Sequence, residues 1–154
     1  MTSFFNLQEE GSPIDRESFK QEAVLLRGRL LAAQKRLAVS PLSVVILVNG
    51  VEGAGKGEMV NRLLEWMDAR GIETHAFWMP TEEEKEHPDM WRFWRELPGR
   101  GKIGIFFGSW YTRPIIERVF RQTNHKEFSL DLENISEFER MLVHEDTLVI
   151  KFWM

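Results

Sequence analysis

The amino-acid sequence predicts an α/β fold built on a parallel sheet. Three observations lead to this prediction: apolar strand-like segments alternate with helical ones, the first strand is a near-continuous apolar run, and a glycine-rich loop joins it to a helix. Connections between parallel strands are right-handed, and ligands bind beyond the carboxyl ends of the strands. We therefore expect a layered sheet domain with the glycine-rich loop at its ligand-binding edge.

A short N-terminal arm, residues 1–14, precedes a predicted helix over residues 15–38. Apolar residues recur in this helix at alternating spacings of four and three, which is typical of an amphipathic helix. These residues are Phe19, Ala23, Leu26, Leu30, Ala33 and Leu37. The α/β core is predicted over residues 42–154, with a central strand at 42–48 because its apolar run suits burial on both faces.

The other elements of the core follow from their periodicity and from glycine and proline signals. Their predicted ranges are a helix over 59–70, a strand over 72–79, a short helix over 88–97, a strand over 103–107, helices near 114–121 and 135–143, and a strand over 147–153. The last strand reaches Met154 without a helix to cover it. We therefore expect the core to be incomplete at its C-terminus.

The glycine-rich loop spans residues 50–57 with the sequence GVEGAGKG. Glycines let backbone N–H groups turn toward an anion, the start of the next helix adds a favourable dipole, and a lysine adds positive charge. The predicted phosphate-binding residues of the loop are Gly50, Gly53, Ala54, Gly55, Lys56 and Gly57. Gly57 stands where related nucleotide-hydrolysing proteins carry a Ser or Thr hydroxyl for Mg²⁺.

The expected metal site is weak. Glu52 in the loop could bind Mg²⁺ or orient an attacking phosphate, although it could equally be a solvated loop residue. The third strand should end in an acidic residue for Mg²⁺, yet it ends in Phe107, which cannot bind a hard cation. Glu58 stabilises the dipole of its helix but repels a phosphate at the same helix end.

Arginines outside the loop are further candidates for phosphate binding. Arg92 lies in an aromatic-rich segment and could face a phosphate or a nucleotide, while the neighbouring tryptophans pack beneath it. Arg113 belongs to a basic group near the third strand, some of which would pair with carboxylates such as Glu117 and Asp131. The members of this basic group are Arg100, Lys102, Arg113, Arg118 and Arg121.

Composition excludes several classes of function. With 20 basic and 24 acidic residues the formal net charge is −4, which argues against a broad basic face for duplex nucleic acid. The chain has no cysteine, hence no disulfide framework, and its N-terminus lacks a secretory signal pattern. No apolar run approaches the ~20 residues of a membrane span. We expect a cytoplasmic protein without nucleic-acid or membrane partners.

Several segments taken together resemble the polyphosphate kinase type 2 family. They are LLAAQKRL (30–37), GVEGAGKGE (50–58), PDMWRFWRELPGRGKIGIFFGSWY (88–111), FERML (138–142) and IKFWM (150–154). The resemblance implies a three-layer phosphate-loop kinase-like fold. It also implies Mg²⁺ as the metal cofactor and phosphoryl transfer between inorganic polyphosphate and nucleotides, chemistry that is mostly positioning and charge neutralisation.

The same resemblance assigns roles to individual residues. Lys56 would hold the transferring phosphate, and Glu52 stands where active members have a loop Asp. Phe107 and Gly108 fall where active members carry an acidic or amide residue followed by Arg. Together with Glu58, these departures resemble the first domain of tandem-domain polyphosphate:AMP phosphotransferases, in which a second copy of the fold carries the intact site.

The resemblance therefore implies the catalytically degraded N-terminal half of a protein that makes ADP from AMP and polyphosphate. Its role would be structural or weakly polyphosphate-binding, and its partner a second domain of the same fold or another copy in a homo-oligomer. The basic lid helices of the family would follow Met154.

Two other interpretations stay open. The chain could be an active polyphosphate or nucleotide kinase domain that uses Glu52 and Lys56, or a scaffold that binds no phosphate. Restoring Phe107→Asp together with Gly108→Arg is expected to discriminate between the first two. A large gain in phosphoryl transfer would indicate a decayed site on an intact scaffold.

Overall fold

The computed structural model describes residues 15–154, so the predicted arm over residues 1–14 lies outside the described part. In chain order the helices and strands are α1 Arg16–Leu37, β1 Ser43–Asn49, α2 Lys56–Trp66, β2 Ile72–Ala76, α3 Glu82–Lys85, α4 Trp91–Trp94, β3 Ile103–Phe107, α5 Thr112–Val119, α6 His125–His144 and β4 Thr147–Trp153. Strands and helices alternate, and the predicted α/β class is confirmed.

The four strands form one parallel sheet in the order β2-β3-β1-β4. β1 lies between β3 and β4, so that Val44 pairs with Ile103 on one side and with Leu148 on the other. This is the inner position that its apolar run predicts, because an inner strand of a parallel sheet is covered on both faces. The loop after β1 consequently leaves the sheet near the middle of its carboxyl edge.

Two apolar clusters lie on opposite faces of the sheet. Successive side chains of a strand point to opposite faces, so Val45 and Leu47 join residues of α6 in one cluster. Ile46 and Val48 join residues of α1 and α2 in the other cluster. The result is the predicted three-layer arrangement, with helices covering both faces.

Helix α1 contacts this core mainly through its C-terminal half. Asp15 caps its N-terminus by accepting two backbone hydrogen bonds from the first turn. Leu30 and Leu37 pack against the second cluster, whereas Phe19 and Leu26 remain 49% and 46% exposed. The predicted apolar stripe is therefore buried at one end of the helix and largely exposed at the other.

Gln34 is the buried polar residue of α1, and its amide joins this helix to the bend after α2. Its Nε2 donates to the carbonyl oxygen of Asp68 at 2.7 Å, and its Oε1 accepts from the Asp68 N–H at 2.7 Å. Both backbone groups of Asp68 are thereby satisfied in a place where water has little access. The sequence pattern gave no indication of this link.

The predicted ends of α2 and β2 were wrong. α2 ends at Trp66 rather than at residue 70, because Met67 is extended and Asp68 caps a short 3₁₀ turn over Ala69–Gly71. β2 ends at Ala76 rather than at residue 79.

Two helix starts were also missed. α3 and α6 both begin with capping boxes, formed by Thr81 with Glu84 and by Asn124 with Glu127. α6 therefore begins at His125 instead of near residue 135, and the short helix predicted over 88–97 is confined to Trp91–Trp94. Of the helices that the structure describes, none has the length and hydropathy to cross a membrane.

The turn after β3 depends on a close backbone contact with the end of β2. The Phe77 N–H donates to the Phe107 carbonyl at 2.8 Å, and the Gly108 N–H donates to the Val48 carbonyl at 3.1 Å. Gly108 has a φ of +82°, and a Cβ built on it would lie 2.2 Å from the Phe77 carbonyl oxygen. Both the backbone conformation and the available space therefore require glycine at this position.

We expect Gln34→Ala to lower the free energy of unfolding by about 1–3 kcal/mol, because it leaves two buried backbone groups of Asp68 without partners. Urea denaturation measures the change. Gln21→Ala is the matched control, since Gln21 is an exposed glutamine of the same helix, and its effect should stay within about 0.5 kcal/mol. Equal stabilities of the two variants would contradict the role given to Gln34.

Gly108→Ala should lower the free energy of unfolding by about 2 kcal/mol, since a left-handed φ is strained for alanine and its Cβ would meet the Phe77 carbonyl. The control is Gly28→Ala in α1, where a Cβ has open space, and this change should stabilise the protein by about 0.5–1 kcal/mol. Thermal and urea unfolding report both values. A neutral Gly108→Ala variant would show that the turn tolerates a side chain.

Candidate functional site

The glycine-rich loop joins β1 to α2 at the carboxyl edge of the sheet. Gly50 has a φ of +135°, and a Cβ on it would lie 2.2 Å from the carbonyl oxygen of Met154. The Met154 N–H donates to the Asn49 carbonyl at 2.9 Å, which extends the β1–β4 pairing to the start of the loop. The loop therefore begins against the end of β4, and only glycine fits at that point.

Lys56 is the first residue of α2, and its side chain folds back over the loop. Its Nζ donates to the carbonyl oxygens of Gly50 at 2.8 Å and Val51 at 2.6 Å. The ammonium also lies 6.0 Å from the centroid of the Phe107 ring, within the range of a cation–π contact. A phosphate at the loop would compete with these carbonyl oxygens for the lysine.

The first turn of α2 provides the other attraction for an anion. Backbone N–H groups at a helix start lack intrahelical partners, and the dipole places partial positive charge there. Gly55, the N-cap, offers no side chain that could satisfy these groups. Glu58 opposes the attraction, and its ion pair with Arg62 at 3.0 Å is largely solvated and offsets little of that repulsion.

The wall of the site on the β3 side carries no acid. Phe107 ends β3 and packs partly against the second core cluster, with its ring near Lys56. Over residues 15–154, no group of three or more His, Cys, Asp or Glu side chains is arranged to hold a metal ion. Glu52 is exposed in the loop and could supply one oxygen ligand to Mg²⁺. These residues do not form a protein-held magnesium site, and Glu52 as a ligand stays a prediction.

A cavity of about 890 Å³, which we name the loop cavity, opens in front of the glycine-rich loop. Its apolar lining consists of Val48, Val51, Phe77, Trp78, Phe107, Ile115, Ile116 and Trp153. Five of the six predicted phosphate-binding loop residues also line it: Gly50, Gly53, Gly55, Lys56 and Gly57. Ala54, the sixth, does not line the cavity, and its N–H donates within the loop to the Val51 carbonyl at 3.4 Å.

Arg92 and Arg113 line a second cavity of about 570 Å³, and Trp78 borders both cavities. The side chain of Arg92 is 10% exposed, and its Nη1 donates to the Trp78 carbonyl at 3.0 Å. Burial lowers the pKa of the Arg92 guanidinium, and Glu84 at 3.4 Å partly offsets that effect. The predicted packing of aromatic rings beneath Arg92 is provided by Phe77 and Phe93.

Arg113 is surrounded by carboxylates. It donates to Asp89 at 2.9 Å, to Glu117 at 3.1 Å and to Asp131 at 3.3 Å. The pairing with Glu117 and Asp131 confirms the sequence prediction, and the charge of Arg113 is compensated within the protein. Neither Arg92 nor Arg113 lines the loop cavity, and phosphate binding by them stays a prediction.

The basic group expected near β3 does not form one surface. Arg100 and Lys102 precede β3, so they lie at the amino edge of the parallel sheet, away from the loop, and Lys102 pairs with Glu73 at 2.8 Å. Arg118 donates to the Thr123 carbonyl at 3.3 Å in the connection between α5 and α6. The prediction failed because residues before and after a parallel strand lie at opposite edges of the sheet.

Sequence reasoning missed two polar groups that support the site. Ser109 is buried; its Oγ donates to Asn49 Oδ1 at 3.0 Å and accepts from the Tyr111 N–H at 3.2 Å. This contact joins the ends of β1 and β3 beside the loop. An Asn that ends an apolar strand and a Ser just after another strand are the signals that could have indicated it.

The second missed group is centred on Glu139 of α6. Its carboxylate accepts from Trp110 Nε1 at 3.1 Å, from the Tyr111 hydroxyl at 2.9 Å and from Lys151 Nζ at 2.7 Å. Burial raises the pKa of the Tyr111 hydroxyl. The group ties α6, β4 and the turn after β3 together, and no sequence spacing indicated it because its members lie on separate elements.

The geometry of Gly108 corrects one expectation from the sequence. A side chain at this position would meet the Phe77 carbonyl oxygen, so Gly108→Arg requires a different turn after β3. The scaffold around positions 107 and 108 is therefore not one into which the missing residues can simply be restored. The double substitution cannot discriminate between a degraded and an active site.

Comparison with known proteins gives the same family that the sequence motifs indicate. The family model described as Polyphosphate kinase 2 (PPK2) matches residues 13–154. A polyphosphate:AMP phosphotransferase from Pseudomonas aeruginosa is 46% identical over 152 residues, which is 97% of this chain and 30% of that protein. The chain thus spans about a third of the length of this curated relative.

Solved structures share the fold. A crystal structure from Pseudomonas aeruginosa PA01, described as a polyphosphate kinase 2, superimposes with a TM-score of 0.88 at 44% identity, covering 94% of this chain and 31% of that one. Polyphosphate Kinase 2 from Arthrobacter aurescens TC1 superimposes with a TM-score of 0.90 at 27% identity, covering 98% of this chain and 56% of that one. With a family model that matches nearly its whole length, this chain belongs to the polyphosphate kinase 2 family.

Proposed function

We propose that this chain is a domain of a polyphosphate:AMP phosphotransferase that keeps a phosphate-binding loop but has lost catalytic competence. The parent protein would make ADP from AMP and polyphosphate. The relative from Pseudomonas aeruginosa named for this activity supports the assignment, and the chain covers only 30% of its length, as a domain would. The observation that carries the loss of catalysis is Phe107, whose ring stands beside Lys56 on the wall where an acid is expected.

The chemical reason for the proposed loss is charge. Phosphoryl transfer depends on metal ions that neutralise the phosphate oxygens, and the protein must hold those ions with carboxylates. Glu52 is the one carboxylate that lines the loop cavity. A single exposed carboxylate leaves the rest of the metal shell to water and substrate, which gives a poorly fixed ion and little preorganisation.

Weak phosphate binding fits what remains at the loop. The helix start and Lys56 attract an anion, while Glu58 repels it and the loop carbonyls compete for the lysine. The proposed ligand of the parent protein at this loop is inorganic polyphosphate, with Mg²⁺ contributing little in this domain.

A structural role toward a second domain or another copy of this fold is part of the same proposal. Phe19, Leu25 and Leu26 of α1 are 49%, 68% and 46% exposed, although they are large apolar residues. Exposed apolar residues of this kind are typical of surfaces that pack against another protein or domain. The N-terminal half of α1 is therefore the surface we assign to pairing.

The second candidate function is an active kinase domain that uses Glu52 and Lys56. The observation that favours it is that both side chains line the loop cavity, so they could face the same phosphate. The two candidates differ in whether Lys56 accelerates a reaction or only binds an anion.

Binding at the loop is tested with Lys56→Ala. We expect this change to lower the affinity for tripolyphosphate about tenfold, because it removes the one basic side chain that lines the loop cavity. Isothermal titration calorimetry measures both affinities. Lys126→Ala is the matched control, since Lys126 is an exposed lysine in the first turn of another long helix that has no glycine-rich loop. Equal affinities of wild type and Lys56→Ala would support the scaffold that binds no phosphate.

Catalytic competence is tested by the rate of ADP formation from AMP and polyphosphate. For a degraded domain, the rates of the wild-type chain and of Lys56→Ala should be equal, because neither protein accelerates the reaction. For an active domain, Lys56→Ala and Glu52→Gln should each lower the rate by about 10²–10³-fold, the typical effect of removing a preorganised electrostatic contact. A rate that depends on Lys56 would therefore overturn the proposal of lost catalysis.

A further inference from the structure

The loop cavity combines an anion-binding end with apolar walls. The glycine-rich loop and Lys56 form its anion-binding end, and its lining elsewhere is mainly aliphatic and aromatic. Phe107 contributes a ring at the position where a metal-binding acid is expected. A ligand that suits this cavity therefore has a compact anionic group and an apolar body.

Two tryptophans flank the loop cavity. Trp153 ends β4 and Trp78 follows β2, and these are the two outer strands of the sheet. Both line the cavity, yet they are 60% and 72% exposed. Trp153 pairs in register with Asn49, the residue just before the loop, so its indole is the one placed beside the phosphate end. Exposed indoles at a cavity are suited to stack on a planar ring.

The charges of the lining favour one phosphate over a chain of phosphates. Lys56 is the only basic side chain and Glu52 the only acidic one that line the loop cavity. A polyphosphate chain needs several cationic groups or metal ions along its length. One terminal phosphate needs only the N–H groups of the loop, the helix dipole and a single lysine.

We propose that the loop cavity binds, without a divalent cation, a phosphate monoester whose organic part carries a planar aromatic ring. The phosphate lies at the glycine-rich loop with Lys56, and the ring stacks against Trp153. This inference rests on the proposed function in one respect, the binding of phosphate by the loop. It adds the class of ligand, the residue that recognises the ring, and independence from Mg²⁺.

The test compares two phosphate monoesters, AMP and ribose 5-phosphate, of which only AMP carries a planar base. Titration calorimetry of the 154-residue chain in EDTA should give about tenfold tighter binding of AMP, the typical effect of one stacked base. Adding Mg²⁺ should not tighten it. Trp153→Ala should reduce the affinity for AMP to that for ribose 5-phosphate, whereas Phe120→Ala, an exposed aromatic outside the cavity, should leave it unchanged.

A second variant guards against misfolding. Trp153→Leu keeps an apolar side chain at the end of β4 but removes the ring, so it should lose the advantage of AMP as Trp153→Ala does. Equal affinities of the wild type for AMP and ribose 5-phosphate, or AMP binding that appears only with Mg²⁺, would overturn the inference. Phosphate binding by the proposed function would survive that outcome if Lys56→Ala still weakened ribose 5-phosphate and tripolyphosphate. It would fail separately if none of the three ligands bound.

Discussion

The position of β1 inside the sheet is the constraint on which the rest of the structure depends. β1 pairs with β3 on one side and with β4 on the other, and its residues enter the apolar clusters on both faces. These pairings place the glycine-rich loop next to the end of β3 and the end of β4. Lys56, Phe107 and Trp153 meet around one cavity for that reason, although they are far apart in the sequence.

Charge compensation separates the two cavities at the carboxyl edge. Arg113 is paired with three carboxylates and Arg92 is held by a backbone carbonyl beneath Trp78, so the charges of both arginines are used within the protein. The loop cavity has a single lysine and apolar walls. A polyphosphate kinase 2 fold is thus retained, while the electrostatics that its chemistry needs are reduced at this edge.

Much of the fold follows from local patterns. The apolar runs of β1, β3 and β4 gave their positions to within a residue, because strands buried on both faces leave a strong signal. Helix starts were weaker, since the capping boxes of α3 and α6 lie in polar segments without an apolar stripe. The end of α2 was wrong because a distant glutamine, Gln34, satisfies the backbone of the bend that follows it.

The sequence by itself determined the loop, its lysine, the phenylalanine in place of an acid, and the family, because each is a matter of residue type at a fixed spacing. Only the tertiary structure decided that Arg92 and Arg113 border a different cavity, and that Arg100 and Lys102 lie at the opposite edge of the sheet. It also decided that Gly108 cannot take a side chain, because the Phe77 carbonyl reaches it from a neighbouring strand. Contacts of this kind depend on how strands pair, and strand pairing joins residues whose separation in the chain carries no local pattern.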